Sequence, residues 1–338
     1  MTRFSYKSEA AGARALKWTA PALLIAAMVA INSPAARAAA LWIADSNNAR
    51  IVEYQASELG VTHTPTGLSV PIGSAPYGAC FDKSNNLWVA DSAEQILEFS
   101  ETSLSKLPTA PSPLVTITSS SFVDIDGCAF DKHGDLWVAD YKNDSVDEIS
   151  AAQLRAGSGS ITPAVIITDT AQIASAQLSF VTFDKKGNLW TDSLTDDELF
   201  EFSASQLSSG GNKTAAVVLG GGGALSDPGQ IAFDGHGNLW VSSPDADTVV
   251  MFPKSDLSTS NNNAPSITLS SADFDQPWGL AFRGSDLWVV NFTGGSALEF
   301  VPKQLKSGGT TTPKVILTGA AAANSWEIIF GPKLGKQE

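Results

Sequence analysis

The sequence predicts an all-β protein, a six-bladed β-propeller with four antiparallel strands per blade and a first blade closed by a strand from the C-terminal end. Three observations lead there. Leu-Trp pairs recur at Leu41-Trp42, Leu87-Trp88, Leu136-Trp137, Leu189-Trp190, Leu239-Trp240 and Leu287-Trp288, in Trp-to-Trp steps of 46 to 53 residues. That spacing falls close to the roughly 40 to 50 residue period of propeller blades. Around each Trp the same order repeats: an apolar strand ending in Phe-Asp, a tight turn, the Leu-Trp strand, a polar loop, a third strand, a Ser-x-x-Leu turn and a fourth strand. Four strands are what one blade needs. Finally, the two ends complement each other, because the first Leu-Trp strand has no inner strand before it and Trp326-Glu327-Ile328-Ile329-Phe330 is an inner strand with no Leu-Trp partner after it.

In the second repeat the elements read Tyr77 to Asp82, Leu87 to Asp91, Ile96 to Phe99 and Leu114 to Ile117. The first turn carries Gly or Asn in repeat after repeat, as in Lys132-His133-Gly134-Asp135 and Lys185-Lys186-Gly187-Asn188. Those residues supply the positive φ of a tight hairpin. Third strands such as Glu98-Phe99-Ser100 lead to Leu104, Leu207 and Leu305, and a single helical turn there would tuck each Leu under the outer strand. Outer strands open after Pro or Ala, as in Pro163-Ala164-Val165, where an edge tolerates proline.

The first 38 residues stand apart. Arg3, Lys7, Arg14 and Lys17 precede an apolar run from Ala20 to Ile31, and Ala36-Arg37-Ala38 offers a small-residue cleavage site. This is the pattern of a secretory signal, so residues 39–338 are expected to be an exported propeller, periplasmic or secreted, without a membrane span and monomeric. Removing the segment takes away five Lys/Arg and one acid from the 21 and 35 of the whole chain, which leaves 16 basic and 34 acidic side chains and a net charge of −18. Such a surface lacks the basic footprint that nucleic acid requires.

Ala79-Cys80-Phe81-Asp82 with Asn86-Leu87-Trp88-Val89-Ala90-Asp91 resembles the NHL repeat, and the six-bladed closure is similar to the virginiamycin B lyase-like and gluconolactonase/regucalcin-like propellers. The resemblance implies the fold over residues 39–338; its relatives range from lyases and lactonases to interaction modules. In such propellers, ligands and metals sit where the inner strands begin. Counting back four residues from each inner-strand Phe gives Tyr77, Asp126, Ser179, Gly229 and Trp278, with Trp326 from the closing strand. Trp278, Trp326 and Tyr77 form a contiguous aromatic arc next to Asp126. Rings give contact area and an acid fixes orientation, so Tyr77, Asp126, Trp278 and Trp326 are the expected binding residues for a small molecule, a sugar, a peptide or a protein at the channel mouth.

A lactonase of the gluconolactonase type would hold a divalent cation such as Ca or Mg with inner-mouth carboxylates and amides. Here Asp124, Asp126 and Glu327 are the candidate metal ligands, while Trp278 and Trp326 stand where further ligands would belong. A lyase like virginiamycin B lyase would need a His as proton-transfer group. His133 and His236 fall in first-turn hairpins on the opposite face and His63 in an outer connection. No G-x-S-x-G, H-E-x-x-H or phosphate-cradling glycine loop is present. The expectation is therefore a binding or scaffold module with no cofactor and no assigned catalytic residue, and its rival is a metal-dependent hydrolase or lyase.

Two further sets complete the reading. Asp45, Asp91, Asp140, Ser193, Ser243 and Asn291 end the Leu-Trp strands and are expected to hydrogen-bond the backbone of neighbouring turns. Cys80 and Cys128 lie one position out of phase in consecutive inner strands. Strand alternation leaves them either facing each other or both facing away, so a disulfide is open at this level.

Overall fold

The Phe-Asp-turn-Leu-Trp segment builds itself from local hydrogen bonds. Asp82 Oδ1 accepts the backbone N–H of Ser84 at 2.7 Å and of Asn86 at 2.9 Å, while Oδ2 accepts from the Asn86 side chain and from the Trp88 indole at 3.2 Å. Asp234 repeats this set with His236, Asn238 and Trp240. One carboxylate thus satisfies the turn's orphan donors and fixes the indole that follows. The Asn then reaches onward: Asn86 Oδ1 accepts from Glu101 N, and Asn238 Oδ1 from Lys254 N. Each hairpin is thereby tied to the turn between third and outer strands.

In the computed structural model, which describes residues 40–169, 175–319 and 325–331, six small sheets follow from these hairpins. Blade two is Pro76–Phe81, Leu87–Asp91, Gln95–Phe99 and Val115–Ser119; blade three is Ile125–Phe130, Leu136–Asp140, Ser145–Ile149 and Val165–Thr168. Blade four is Val181–Phe183, Leu189–Ser193, Glu198–Phe202 and Val217–Leu219. Blade five is Ile231–Phe233, Leu239–Ser243, Thr248–Phe252 and Ile267–Ser270, and blade six is Pro277–Arg283, Asp286–Asn291, Ser296–Phe300 and Val315–Thr318. Blade one joins the ends: Ser325–Phe330 pairs antiparallel with Leu41–Asp45, Leu41 opposite Phe330 and Ile43 opposite Ile328, and Arg50–Tyr54 and Leu68–Pro71 complete it. The predicted closure is observed. The predicted signal segment lies outside the described residues, and among those residues no helix is long and apolar enough to cross a membrane.

The core is divided into wedges between neighbouring blades. Trp88 and Ile96 of blade two, for example, pack with Ile125, Leu136 and Val138 of blade three. The Trp of each Leu-Trp pair is at most 3% exposed and meets the inner-strand Phe of the next blade edge-on. All six pairs, Trp42–Phe81, Trp88–Phe130, Trp137–Phe183, Trp190–Phe233, Trp240–Phe282 and Trp288–Phe330, have centroids 5.4 to 6.4 Å apart and planes at 70° to 73°. This is the geometry the ring quadrupole prefers. The sequence period is therefore the period of one inter-blade contact.

Of the expected turns, Glu101–Leu104 and Pro302–Leu305 are helical and bury their Leu, whereas the turn at Leu207 is the 3-10 segment Gln206–Ser208, which leaves that Leu half-buried. Ala151–Ala156 adds a further helical turn over Leu154, and Ser100 and Ser150 cap their helices with their side chains. Outer edges gain protection that the repeat did not announce. Three of the connections ahead of outer strands add a short parallel strand to the preceding blade: Gly159–Ile161 beside Val115–Ser119, Gly211–Asn212 beside Val165–Thr168, and Gly309–Thr310 beside Ile267–Ser270. Asn261 bridges to Leu219 and His63 to Leu317 in the same way.

Cys80 and Cys128 face each other and form a disulfide between the inner strands of blades two and three, with Cα atoms 5.9 Å apart. Of the two orientations the sequence left open, this is the one adopted.

Candidate functional site

Where the inner strands begin, they approach the channel axis closely, and small residues make that approach possible. The residue three before each inner Phe forms a ring: Glu327, Gly78, Gly127, Phe180, Gln230 and Gly279 in blades one to six. A Cβ on Gly78 would lie 2.3 Å from the Asp126 carbonyl oxygen, and one on Gly127 would lie 2.8 Å from that of Ser179. Glycine therefore lets blades two, three and four touch backbone to backbone, and Gly127 N–H donates to Ser179 O at 2.7 Å. The larger members fill the space left over. Gln230 Oε1 accepts from Leu280 N at 2.8 Å and Ile328 N at 3.2 Å, and its Nε2 donates to Ile328 O at 3.1 Å. Glu327 accepts from the Ala79 amide. Together they stitch blades five, six, one and two and put a floor across the channel.

Above this floor opens a cavity of about 340 Å³ lined by Tyr77, Asp124, Asp126, Tyr141, Gln177, Ser179, Leu194, Asp227, Trp278 and Trp326. All four expected binding residues line it. Trp278 and Trp326 meet at 4.7 Å and 79°, Tyr77 and Trp326 at 6.0 Å and 74°, and Phe292 stands against Trp326 at 5.0 Å. The arc is thus a set of walls set nearly at right angles rather than a stack. Of the other ring positions Ser179 reaches the cavity, whereas Gly229 turns its N–H to Ser242 O and does not.

Carboxyl groups dominate the polar lining of the cavity. Asp126 has no hydrogen-bond partner for its carboxylate among the described residues, and burial pushes its pKa well above the ordinary carboxylate range, with Asp124, Asp192 and Asp140 adding to the rise and Lys142 opposing it. Burial also raises Asp227 to about 6, helped by Asp245 and Asp197, and raises the Tyr77 and Tyr141 hydroxyls. Asp124 is paired with Lys142 at 2.7 Å on the rim. Beneath them Asp192 is raised to about 7 by burial, against the hydrogen bonds it accepts from Ser179 N, Ser179 Oγ and Phe180 N.

The expected metal set of Asp124, Asp126 and Glu327 is not brought together. Glu327 is 4% exposed and turned to the Ala79 amide and Gln230, and Asp124 is engaged by Lys142. Among the described residues no three His, Cys, Asp or Glu side chains converge in a metal-holding group. The reason is the floor, which takes Glu327 for itself. No His lines the cavity either: His133 and His236 sit exposed in the hairpins of the opposite face.

The strand-end ring behaves as expected. Asp91 Oδ1 accepts from Ala93 N and Gln95 N, Asp140 from Val123 N and Asp124 N, and Ser243 from Ser226 N. Asp45 also holds Arg50 at 2.8 Å.

Tyr141 and Gln177 of the cavity lining escaped the sequence reading, as did Phe292, which packs behind Trp326. Tyr141, Leu194 and Phe292 share one repeat position, directly after the strand-end ring, where blades one, two and five carry Ser46, Ser92 and Pro244. Large apolar residues at that otherwise polar loop start were the available signal.

No protein-family model matches the chain, and no curated protein sequence matches it. Solved structures do. A propeller in a nidogen/laminin complex aligns with a TM-score of 0.60 at 12% identity, over 86% of this chain and 97% of that one. A protein of unknown function from Bacteroides caccae gives 0.57 at 12% identity, over 86% and 97%. A catalytically inactive virginiamycin B lyase from Staphylococcus aureus, with quinupristin, gives 0.52 at 11% identity, over 79% and 83%. At these identities the likeness is one of fold.

Proposed function

We propose that this chain is an exported ligand-binding propeller whose recognition site is the floored cavity at the channel mouth. The observation that carries the reading is the cavity's wall, in which Tyr77, Tyr141, Trp278 and Trp326 accompany Asp126 above the layer of Gln230 and Glu327. The volume suits a small molecule or one side chain of a larger partner, and the mixture of rings with a few polar groups is what binding pockets commonly show. The fold hosts unrelated activities and does not choose among them. Export is supported by the signal pattern of residues 1–38 and by the Cys80–Cys128 disulfide, since such bonds persist in oxidising compartments.

The test is a small-molecule screen read by thermal shift and by Trp fluorescence, run in parallel on wild type and on Trp326→Ala and Tyr77→Ala. Ligands of this cavity shift the wild type and lose that shift in both variants. Ligands that stabilise all three proteins equally would place recognition elsewhere and sink the reading.

A further inference from the structure

We infer that the mouth cavity selects an organic cation, a protonated amine or a quaternary ammonium group. The inference rests on the binding reading above and specifies the ligand's charge class. Three features of the wall carry it.

First, Asp124, Asp126 and Asp227 line the cavity and, among the described residues, no Lys or Arg does. Lys142 is the nearby cation, but it stands at the rim, bonded to Asp124 at 2.7 Å with its side chain 58% exposed. Asp126 is left with neither an ion-pair partner nor a hydrogen-bond donor among the described residues. An anionic ligand such as a sugar acid or a phosphate would meet uncompensated like charge, and a neutral sugar would leave Asp126 desolvated and unpaired.

Second, the rings stand as walls. With Trp326 at 79° to Trp278 and 74° to Tyr77, adjoining rings turn different aspects toward their common space, as the walls of a box do. Ring faces attract a cation through their quadrupole, and desolvated boxes of this type hold ammonium groups.

Third, burial holds Asp126 toward its protonated form, and the carboxyl groups of Asp192 and Glu327 lie within its electrostatic reach. A cation seated among the rings favours the ionised form of Asp126 and pairs with it, whereas a neutral or anionic ligand supplies no such partner.

The experiment is calorimetric titration of the protein, residues 39–338, with choline, phenethylammonium and N-acetyl-lysine amide. The neutral analogue 3,3-dimethylbutan-1-ol, glucose and gluconate serve as controls. The lysine derivative distinguishes a free small cation from a side chain of a peptide, which offers the same group. At least one cation binds about tenfold more tightly than the neutral analogue, and Asp126→Asn, which keeps shape and loses charge, removes about that factor. Trp326→Ala weakens the same cation, while Lys142→Ala strengthens or preserves its binding. Equal affinity for choline and its neutral analogue, or an unchanged affinity in a folded Asp126→Asn, overturns the inference. If glucose or gluconate binds through Trp326 and no cation does, the charge class falls and the binding cavity stands. If no probe and no compound of the screen binds, both fall.

Discussion

Trp288 lies edge-on to Phe330, centroids 6.3 Å apart and planes at 71°, across the seam where blade six meets the strand that completes blade one. The same contact occurs at the other five blade junctions, so the seam is built no differently from a junction inside continuous chain. A ring closed in this way depends on its last strand as much as on any other.

Phe330→Ala removes the seam contact and leaves a cavity against Trp288. Phe330 is only partly buried, so the truncation costs less than the roughly 3 to 5 kcal/mol of a fully buried Phe. Urea unfolding monitored by Trp fluorescence should show the loss as a lower midpoint. A midpoint within error of wild type would mean that the ring does not need this strand.

Gly78→Ala places a methyl group 2.3 Å from the Asp126 carbonyl oxygen, against backbone that cannot step aside. Overpacking of this severity destabilises by about 1 to 3 kcal/mol. Gly60→Ala, where a Cβ meets nothing within 4 Å, is the matched control and leaves the melting temperature nearly unchanged. Equal behaviour of the two would refute the close approach of blades two and three.

The disulfide joins positions 48 residues apart in sequence. On the chain-entropy account a loop of that length contributes about 4 kcal/mol by restricting the unfolded chain. Reduction, or the pair Cys80→Ala and Cys128→Ala, should therefore lower the unfolding midpoint substantially. Insensitivity to reductant in wild type would contradict a formed bond.

Stability should fall as pH rises through neutrality. Burial raises Asp147, Glu148, Asp192 and Glu201 each to about 7. Acids raised in the folded state hold their proton more tightly there than when unfolded. Their contribution is complete below the unfolded carboxylate range and is lost as pH climbs through about 7. The melting temperature should accordingly drop between about pH 5 and about pH 8, and Asp192→Asn should reduce the drop, because an amide can keep the bonds from Ser179 N and Phe180 N without acquiring charge. A melting temperature that is flat or rising across this range would remove these groups from the account.

The blades were legible because Trp and Phe meet once per junction, so a contact repeated in space appears as a period in sequence. Half of the cavity was legible for a related reason. Tyr77, Asp126, Trp278 and Trp326 share one register position of the inner strands, and register carries the position to the same height in every blade. Tyr141 and Phe292 escaped because they belong to loops, whose direction the strand period does not specify. The metal trio failed at Glu327, which is adjacent to Trp326 in sequence but, by strand alternation, points to the floor instead of the mouth. Asp192 was visible in principle: it interrupts the Trp-x-Ala pattern of Trp42-Ile43-Ala44, Trp88-Val89-Ala90 and Trp137-Val138-Ala139. Its effect on blade four, taking the amides of Ser179 and Phe180 and shortening the inner strand to Val181–Phe183, required knowing what stood opposite.

The capping of the outer strands of blades two to six by the following blade sets an order on biosynthesis. As the chain leaves the ribosome, the outer edge of blade two stays unpaired until Gly159–Ile161 has been made, and that of blade three waits for Gly211–Asn212. Unpaired edges invite association with other chains. Blade six is different, because its edge is met by His63 and its neighbour Thr64, which bonds Thr318 across 254 residues of sequence. From blade two onward the nascent protein thus carries an open edge forward, blade by blade, until the last blade folds back onto residues translated near the beginning.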